Sequence, residues 1–325
     1  MKIFSGSANQ KLADGICKWL GQPSGQIYLH SFPSGESYVQ FQENIRGQDV
    51  FLVQPIAYPA NDSLMQLLVM ADAAKRASAN RITAVIPYFG YSRQDRKDKP
   101  RVPISSKLVM NLIASAGFNR VLTMDLHAAQ IGGFTDLPFD HLSFKPLLVN
   151  ALKVNSVKID MVVAPDIGAV KRATEYGKQL KKNLAIVVKQ RLNDTDVVVE
   201  NFIGDVRGKN VLIVDDLTES VGTLTEAAKA CRKNGAEEVN IAVTHGCFTE
   251  KGIENLKSGI EKNLFTRVFY SNTVSTDWYE NRLDHSDENV FDYDCVIPVD
   301  VSPLFAQAIR NIHTNTSVSE LFDEK

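Results

Sequence analysis

The sequence has only four cysteines in 325 residues, and Cys17, Cys231, Cys247 and Cys295 form no CxxC or metal-ligand spacing. That excludes a disulfide framework and a thiolate metal site, and it fits reduced thiols in a cytoplasmic protein. No apolar stretch approaches the roughly 18 residues that cross a bilayer. The opening MKIFSGSANQKLADG also lacks the apolar core of a leader. No membrane partner is expected. An excess of either charge is missing too, with 36 basic against 38 acidic residues and a net charge of -2. No global basic field recruits nucleic acid, so any anion site must be local. No GxxxxGK[ST] occurs, so a phosphate-transfer enzyme built on this chain is not a Walker-type NTPase.

What is present is alternation. DVFLVQ (49–54), RITAVIPYF (81–89), RVLTMDL (120–126), DMVVAPD (160–166), LAIVVK (184–189), NVLIVDD (210–216) and EVNIAVTHG (238–246) read as buried strands. Helical spacing follows, as in 61–80 and 223–236. Strands apolar on both faces, alternating with helices, predict α/β domains with mainly parallel sheets flanked by helices. The chain is too long for one typical core and comfortable as two domains. RGQDVFLVQ and RGKNVLIVD, about half a chain apart, suggest similarly built halves, with a boundary in 144–160.

Ligands of open parallel sheets bind outside the carboxyl ends of the strands. DLHAAQ, PDIGAVKR, KQRLND, DDLTES and THG stand there. In VLIVDDLTESVGTL, Asp215 and Asp216 end a strand, and Glu219, Ser220, Val221, Gly222 and Thr223 lead into a helix. A helix N-terminus with hydroxyl donors cradles an anion. The paired carboxylates repel each other and a phosphate, so they suit neutral hydroxyls or a metal, and a held ligand would relieve their repulsion. Together these describe a sugar phosphate. A merely capped helix is the bland alternative, and it explains the doubled Asp badly. Asp125 and His127 end one strand and Asp166 another. If those ends converge, His127 and Asp166 could share Mg²⁺ with phosphate oxygens; alternatively His127 is hydrogen-bonded structure. FPSGESYVQF reads as a hairpin with Glu36 in its turn. YSRQDRKDKPRVPIS carries Arg93, Arg96, Lys97, Lys99 and Arg101 without the i, i+4 period of a solvated helix. A polyphosphate-contacting loop fits it, and nucleic acid stays open from this segment alone. Lys189 and Arg191 lie two apart in extended chain, facing one side. They are expected to leave the strand as a mobile arm that closes over a phosphoryl group.

In order, PYFGYSRQDRKDKPRVPIS, TMDLHAAQIGGF and NVLIVDD resemble ribose-phosphate pyrophosphokinase, the phosphoribosyl pyrophosphate synthetase family. The resemblance runs from FSGSANQKLADGI to SVSELF. It implies two phosphoribosyltransferase-like domains, 1–146 joined by 303–325 for ATP and 147–302 for ribose 5-phosphate, with the site between them. The implied reaction is attack of the sugar's 1-hydroxyl on the β-phosphorus of Mg-ATP, releasing AMP. Asp215 and Asp216 would hold the ribose 2- and 3-hydroxyls, and Glu219 to Thr223 the 5-phosphate. His127 and Asp166 would ligate Mg²⁺. Phe32, Ser34, Glu36, Arg93, Gln94, Asp98 and His127 would contact ATP, and Lys189 and Arg191 would stabilise the transition state. Positioning and charge neutralisation carry such chemistry. A homo-oligomer, hexameric in the common class, activated by phosphate and inhibited by ADP, is also implied.

Two rival readings stand beside it. A regulatory paralogue that only binds nucleotide would not need His127, Asp166, Lys189, Arg191 and both aspartates. A phosphoribosyltransferase would not need FPSGE or RQDRKDK. The chain also departs from the family pattern. DDLTESVGT replaces DDMxDTxGT, and the β-branched Val221 restricts a backbone that must wrap phosphate. PDIGAVKR replaces PDxGGxxR, so Ala169 is expected to hinder a positive φ there. A raised KM for the sugar, or a paralogue of altered activity, is the expectation. HAAQIGGF replaces HASQIQGF at Ala129 and Gly132, and Asp140-His141 stands for Asp-Asn, while SVS (317–319) is kept.

Overall fold

The computed structural model describes residues 1–191, 197–280 and 289–321, with the side chains of 189–191, 197–200 and 280 outside that description. Two compact units result: residues 1–144 with 273–275 and the chain from 300 onward, and residues 145–272 with 276–299.

The first unit begins with β1 (Lys2–Ser5), α1 (Gln10–Leu20) and a hairpin of β2 (Ile27–Ser31) and β3 (Ser37–Phe41). It continues through β4 (Asp49–Val53), α2 (Ala60–Arg76), β5 (Arg81–Ile86), α3 (Ser105–Ala116), β6 (Arg120–Met124) and β7 (Phe139–Leu142). The main sheet runs β1-β4-β5-β6-β7, parallel throughout. All five residues of β4 are buried, as parallel strands covered on both faces must be. Local rules shape α1: the Asn9 side chain accepts the Leu12 N–H, Gly21 closes the helix at φ 69°, and Leu12, Ile16 and Cys17 are buried. The hairpin stands in its own sheet and alternates. Leu29, Val39 and Phe41 pack on the core, while Tyr28, His30 and Tyr38 face outward.

The second unit comprises α4 (Lys145–Val154), β8 (Met161–Ala164), α5 (Val170–Leu180), β9 (Asn183–Arg191) and β10 (Val197–Ile203), then β11 (Asn210–Thr218) and α6 (Gly222–Lys233). It ends with β12 (Glu238–Gly246), α7 (Glu250–Glu261), β13 (Arg267–Ser271), α8 (Asp277–Glu280) and β14 (Val296–Val299). Its sheet order is β10-β9-β8-β11-β12-β13-β14, parallel except for the antiparallel β9–β10 pair. Val163, Val211, Ile213, Leu224, Ile241 and Leu256 form the centre of its core. The chain then returns to the first unit as α9 (Ser302–Thr314), which packs on α1. A Cβ on Gly15 would lie 2.4 Å from Ser302 Oγ, so the two helices approach closely at a glycine.

All seven expected strands form, and 61–80 and 223–236 are helical as α2 and α6 over most of their length. β1, β7, β10, β13 and β14 were not anticipated. β7 reads FDHL and β14 reads VIPV, so a charge and a proline break the apolar pattern in strands at sheet edges, where both are tolerated. The basic stretch KQRLND needs correction. The backbone does not leave the strand at Lys189. β9 runs on to Arg191, and β10 returns beside it with Val199 opposite Lys189 and Val197 opposite Arg191. The β-branched run Val197–Val199 supplies that partner strand. Leu192, Asn193 and Asp194 lie outside the described residues.

Candidate active site

β8 and β11 are parallel neighbours, with Met161 opposite Val211 and Val163 opposite Ile213. Chain order reverses between them, since β9 and β10 extend one way and β12 to β14 the other. Such a switch point opens a crevice outside the carboxyl ends of the strands. Asp166 follows β8 there, and Asp215 and Asp216 stand toward the end of β11. Arg172, in the first turn of α5, donates from Nη1 to Asp215 Oδ1 at 3.3 Å and to Asp216 Oδ1 at 2.9 Å. The Asp216 N–H also donates to Asp215 Oδ1, at 2.9 Å. Asp216 is 3% exposed. Burial, then the charge of Asp216 and a hydrogen bond to it, push the Asp215 carboxyl well above the ordinary range; Arg172 opposes this and Asp166 adds to it. An arginine that sequence reasoning passed over thus offsets part of the repulsion within the protein, while burial and the neighbouring carboxylate still dominate at Asp215.

The loop after β11 turns sharply at Val221, whose φ is 60° and ψ 2°. A β-branched residue in the left-handed region is an outlier. Its side chain is 2% exposed and belongs to the unit's core. The Val221 N–H donates to Thr218 Oγ1 at 3.1 Å, and the Gly222 N–H reaches Ser220 Oγ at 3.4 Å. Behind the loop, the Thr249 N–H and Oγ1 donate to the Glu219 carbonyl at 3.0 and 3.2 Å, and Asn255 Nδ2 donates to the Ser220 carbonyl at 2.8 Å. A Cβ at Gly252 would lie 2.0 Å from the Glu219 carbonyl oxygen. The start of α7 therefore pins the carbonyl side of the loop. Ser220 and Thr223 are exposed, and Glu219 is half-buried.

Ala169 does not obstruct its turn as expected. It sits at φ -82° and ψ -4°, right-handed backbone that any residue adopts, and is 3% exposed. Its N–H donates to Asp166 Oδ1 at 3.0 Å just before α5 begins. β9 pairs with β8 as far as Ile186 opposite Ala164. The backbone positions of Lys189 and Arg191 lie beyond that pair, toward the end where Asp166 follows β8.

In the first unit the charged segment after β5 is irregular and ends against α3. The Ser106 N–H and Oγ donate to the Gln94 carbonyl at 3.2 and 2.9 Å, and Ser105 Oγ donates to Gln94 Oε1 at 2.5 Å. Arg93, Gln94 and Asp98 are exposed, as is His127 beyond the neighbouring β6. Gln130 Nε2 donates to Asp95 Oδ2 at 2.7 Å, tying the two segments together. Phe32, Ser34 and Glu36 sit instead at the hairpin turn. There the Phe32 N–H donates to the Glu36 carbonyl at 2.9 Å, and Gly35 takes φ 89°. The Phe32 ring is 44% exposed, 5.5 Å from His30 and 6.0 Å from Tyr38.

No group of three His, Cys, Asp or Glu that could hold a metal occurs among the described residues. Asp166 offers one hard carboxylate of the kind Mg²⁺ takes beside waters and phosphate oxygens, whereas the imidazole of His127 is a softer donor. No helix among the described residues is long and apolar enough to cross a membrane.

Comparison with known proteins bears on both units. Residues 1–117 match the N-terminal domain of ribose phosphate pyrophosphokinase, and residues 150–281 match the phosphoribosyl transferase domain. The ribose-phosphate pyrophosphokinase of Gloeobacter violaceus is 44% identical over 99% of this chain and 93% of its own. That of Hyphomonas neptunium is 46% identical over 99% of this chain and 100% of its own. The crystal structure of phosphoribosylpyrophosphate synthetase from Mycobacterium smegmatis superposes with a TM-score of 0.86 at 34% identity, covering 97% of this chain and 99% of that one. With both domain matches in order and relatives alike over nearly its whole length, the chain belongs to the ribose-phosphate pyrophosphokinase family.

Proposed function

We propose that this enzyme transfers the pyrophosphoryl group of Mg-ATP to the 1-hydroxyl of ribose 5-phosphate, giving phosphoribosyl pyrophosphate and AMP. The observation that carries the reading is the switch point between β8 and β11, where a half-buried and a buried carboxylate, Asp215 and Asp216, stand one short turn from a helix-entry loop. Asp215 and Asp216 grip the ribose 2- and 3-hydroxyls. Glu219, Ser220, Val221, Gly222 and Thr223 wrap the 5-phosphate. We assign ATP to the first unit, through Arg93, Gln94, Asp98 and His127 at the strand ends and Phe32, Ser34 and Glu36 on the hairpin. His127 and Asp166 would hold Mg²⁺, which when bound screens the charge of the donor phosphates.

With the sugar fixed at its hydroxyls and phosphate, its 1-hydroxyl oxygen bonds the β-phosphorus. The bond from that phosphorus to the α–β bridging oxygen breaks, AMP leaves with that oxygen, and the hydroxyl proton passes to solvent. Lys189 and Arg191 neutralise the charge that develops on the transferring group. We further assign a cytoplasmic location, to which four free cysteines are suited, and a homo-oligomer, hexameric as in the common class of the family.

The test is direct. Incubation with Mg-ATP and ribose 5-phosphate, with and without inorganic phosphate, is expected to yield AMP and pyrophosphorylated sugar in equal amounts. Lys189→Ala should lower turnover on the order of 10²-fold with sugar binding little changed. Absence of both products at saturating sugar would favour a regulatory paralogue instead.

A further inference from the structure

The clamp aspartates share one partner that the reaction as described leaves without a role. We infer that Arg172 is a positioning residue for the sugar, bracing Asp215 and Asp216 in the arrangement that receives the vicinal diol. The inference rests on the reading of those two residues as the diol clamp.

Three observations carry it. A single nitrogen, Arg172 Nη1, meets the Oδ1 of both carboxylates, at 3.3 and 2.9 Å, so one donor sets the spacing and rotation of two neighbouring acids. The group is well enclosed, with side-chain exposures of 19% for Arg172, 15% for Asp215 and 4% for Asp216. Removal of one partner from such an enclosed set leaves charge uncompensated. Finally, Arg172 is carried rigidly. It stands in the first turn of α5, which packs on both β8 and β11, directly after the turn that Asp166 caps through the Ala169 N–H. The crevice walls and the brace therefore belong to the same three elements. An arginine suits this place better than lysine, because the rigid guanidinium plane fixes the direction of Nη1, whereas an ammonium ends a flexible four-carbon stem.

Full-length wild-type, Arg172→Lys and Arg172→Gln enzymes test the role by steady-state kinetics, and by calorimetric binding of ribose 5-phosphate without ATP. Arg172→Gln is expected to raise the KM and Kd for ribose 5-phosphate on the order of 10- to 100-fold, the size seen when the support of a binding group is removed. The KM for ATP should change by less than about 3-fold, as expected where the lost interaction is remote from that substrate. Arg172→Lys should fall between, keeping charge but losing the rigid guanidinium plane. If Arg172→Gln does not fold, the lysine variant still decides, through a several-fold rise confined to the sugar. Sugar constants at the wild-type level in the variants would overturn the role, as would equal rises for sugar and ATP. A fall in kcat with an unchanged sugar Kd would overturn it too, placing Arg172 on the reacting atoms. A wild-type enzyme that makes no product and binds no sugar would overturn the functional reading itself, a result separate from an active enzyme indifferent to Arg172.

Discussion

At the scale of single residues, two of the departures from the family pattern, Ala169 and Val221, behave differently. Ala169 occupies ordinary right-handed backbone, so the missing glycine imposes no strain there. Val221 does carry strain, at φ 60° with a branched Cβ. Its side chain is buried, and the two effects oppose each other. Full burial of a valine is worth about 1.5–3 kcal/mol, while backbone strain of this kind costs about 1–3 kcal/mol. Val221→Gly should therefore destabilise by no more than about 2 kcal/mol in urea unfolding, whereas Val163→Gly, in a buried strand with no such strain to release, should cost clearly more. A loss near 3 kcal/mol at Val221 would show that the turn holds no strain worth counting. The doubled Asp was legible in the sequence because like charges at a strand end demand a reason. Arg172 was not, because it lies 43 residues from Asp215 and meets it only when β8 and β11 pair.

At the scale of elements, α7 supports the loop it never joins in sequence. Glycine inside a helix ordinarily weakens it by about 1 kcal/mol relative to alanine, yet at Gly252 a Cβ would press on the Glu219 carbonyl. Gly252→Ala is thus expected to lose about 1–3 kcal/mol, as overpacking does, and to raise the KM for ribose 5-phosphate by displacing the loop. Asn255→Ala, which removes one hydrogen bond, should do less, about 1 kcal/mol. A Gly252→Ala protein more stable than wild type would remove the helix from the loop's support. The short repeat RGQDV and RGKNV also has an element-scale meaning. Gly47 and Gly208 take φ 68° and 66°, and their N–H groups donate to the carbonyls of Ser78 and Gly235, each at 2.8 Å. Gln48 and Lys209 then accept from Asn80 and Glu237, each at 2.9 Å. Each half uses the same left-handed glycine to lock the entrance of one strand to the entrance of the next.

At the scale of the whole molecule, the first unit is discontinuous in sequence. It is completed by α9, which buries Phe305, Ile309 and Ile312 and places Ser302 against Gly15 of α1. Residues 1–144 expressed alone should lack a cooperative thermal transition, and a second fragment carrying α9 should restore one. A stable 1–144 fragment would show α9 to be dispensable. The C-terminal return was implied by family resemblance, since no local pattern says which core a distant amphipathic helix covers. By itself the sequence determined the α/β class, most central strands and the presence of paired acids at a strand end, because burial on both faces and unlike spacing of polar groups are local properties. Only the tertiary structure decided where strand order reverses, which cation stands against Asp215 and Asp216, and which helix backs the loop after β11. Those follow from pairings between segments far apart in the chain, which no window of residues contains.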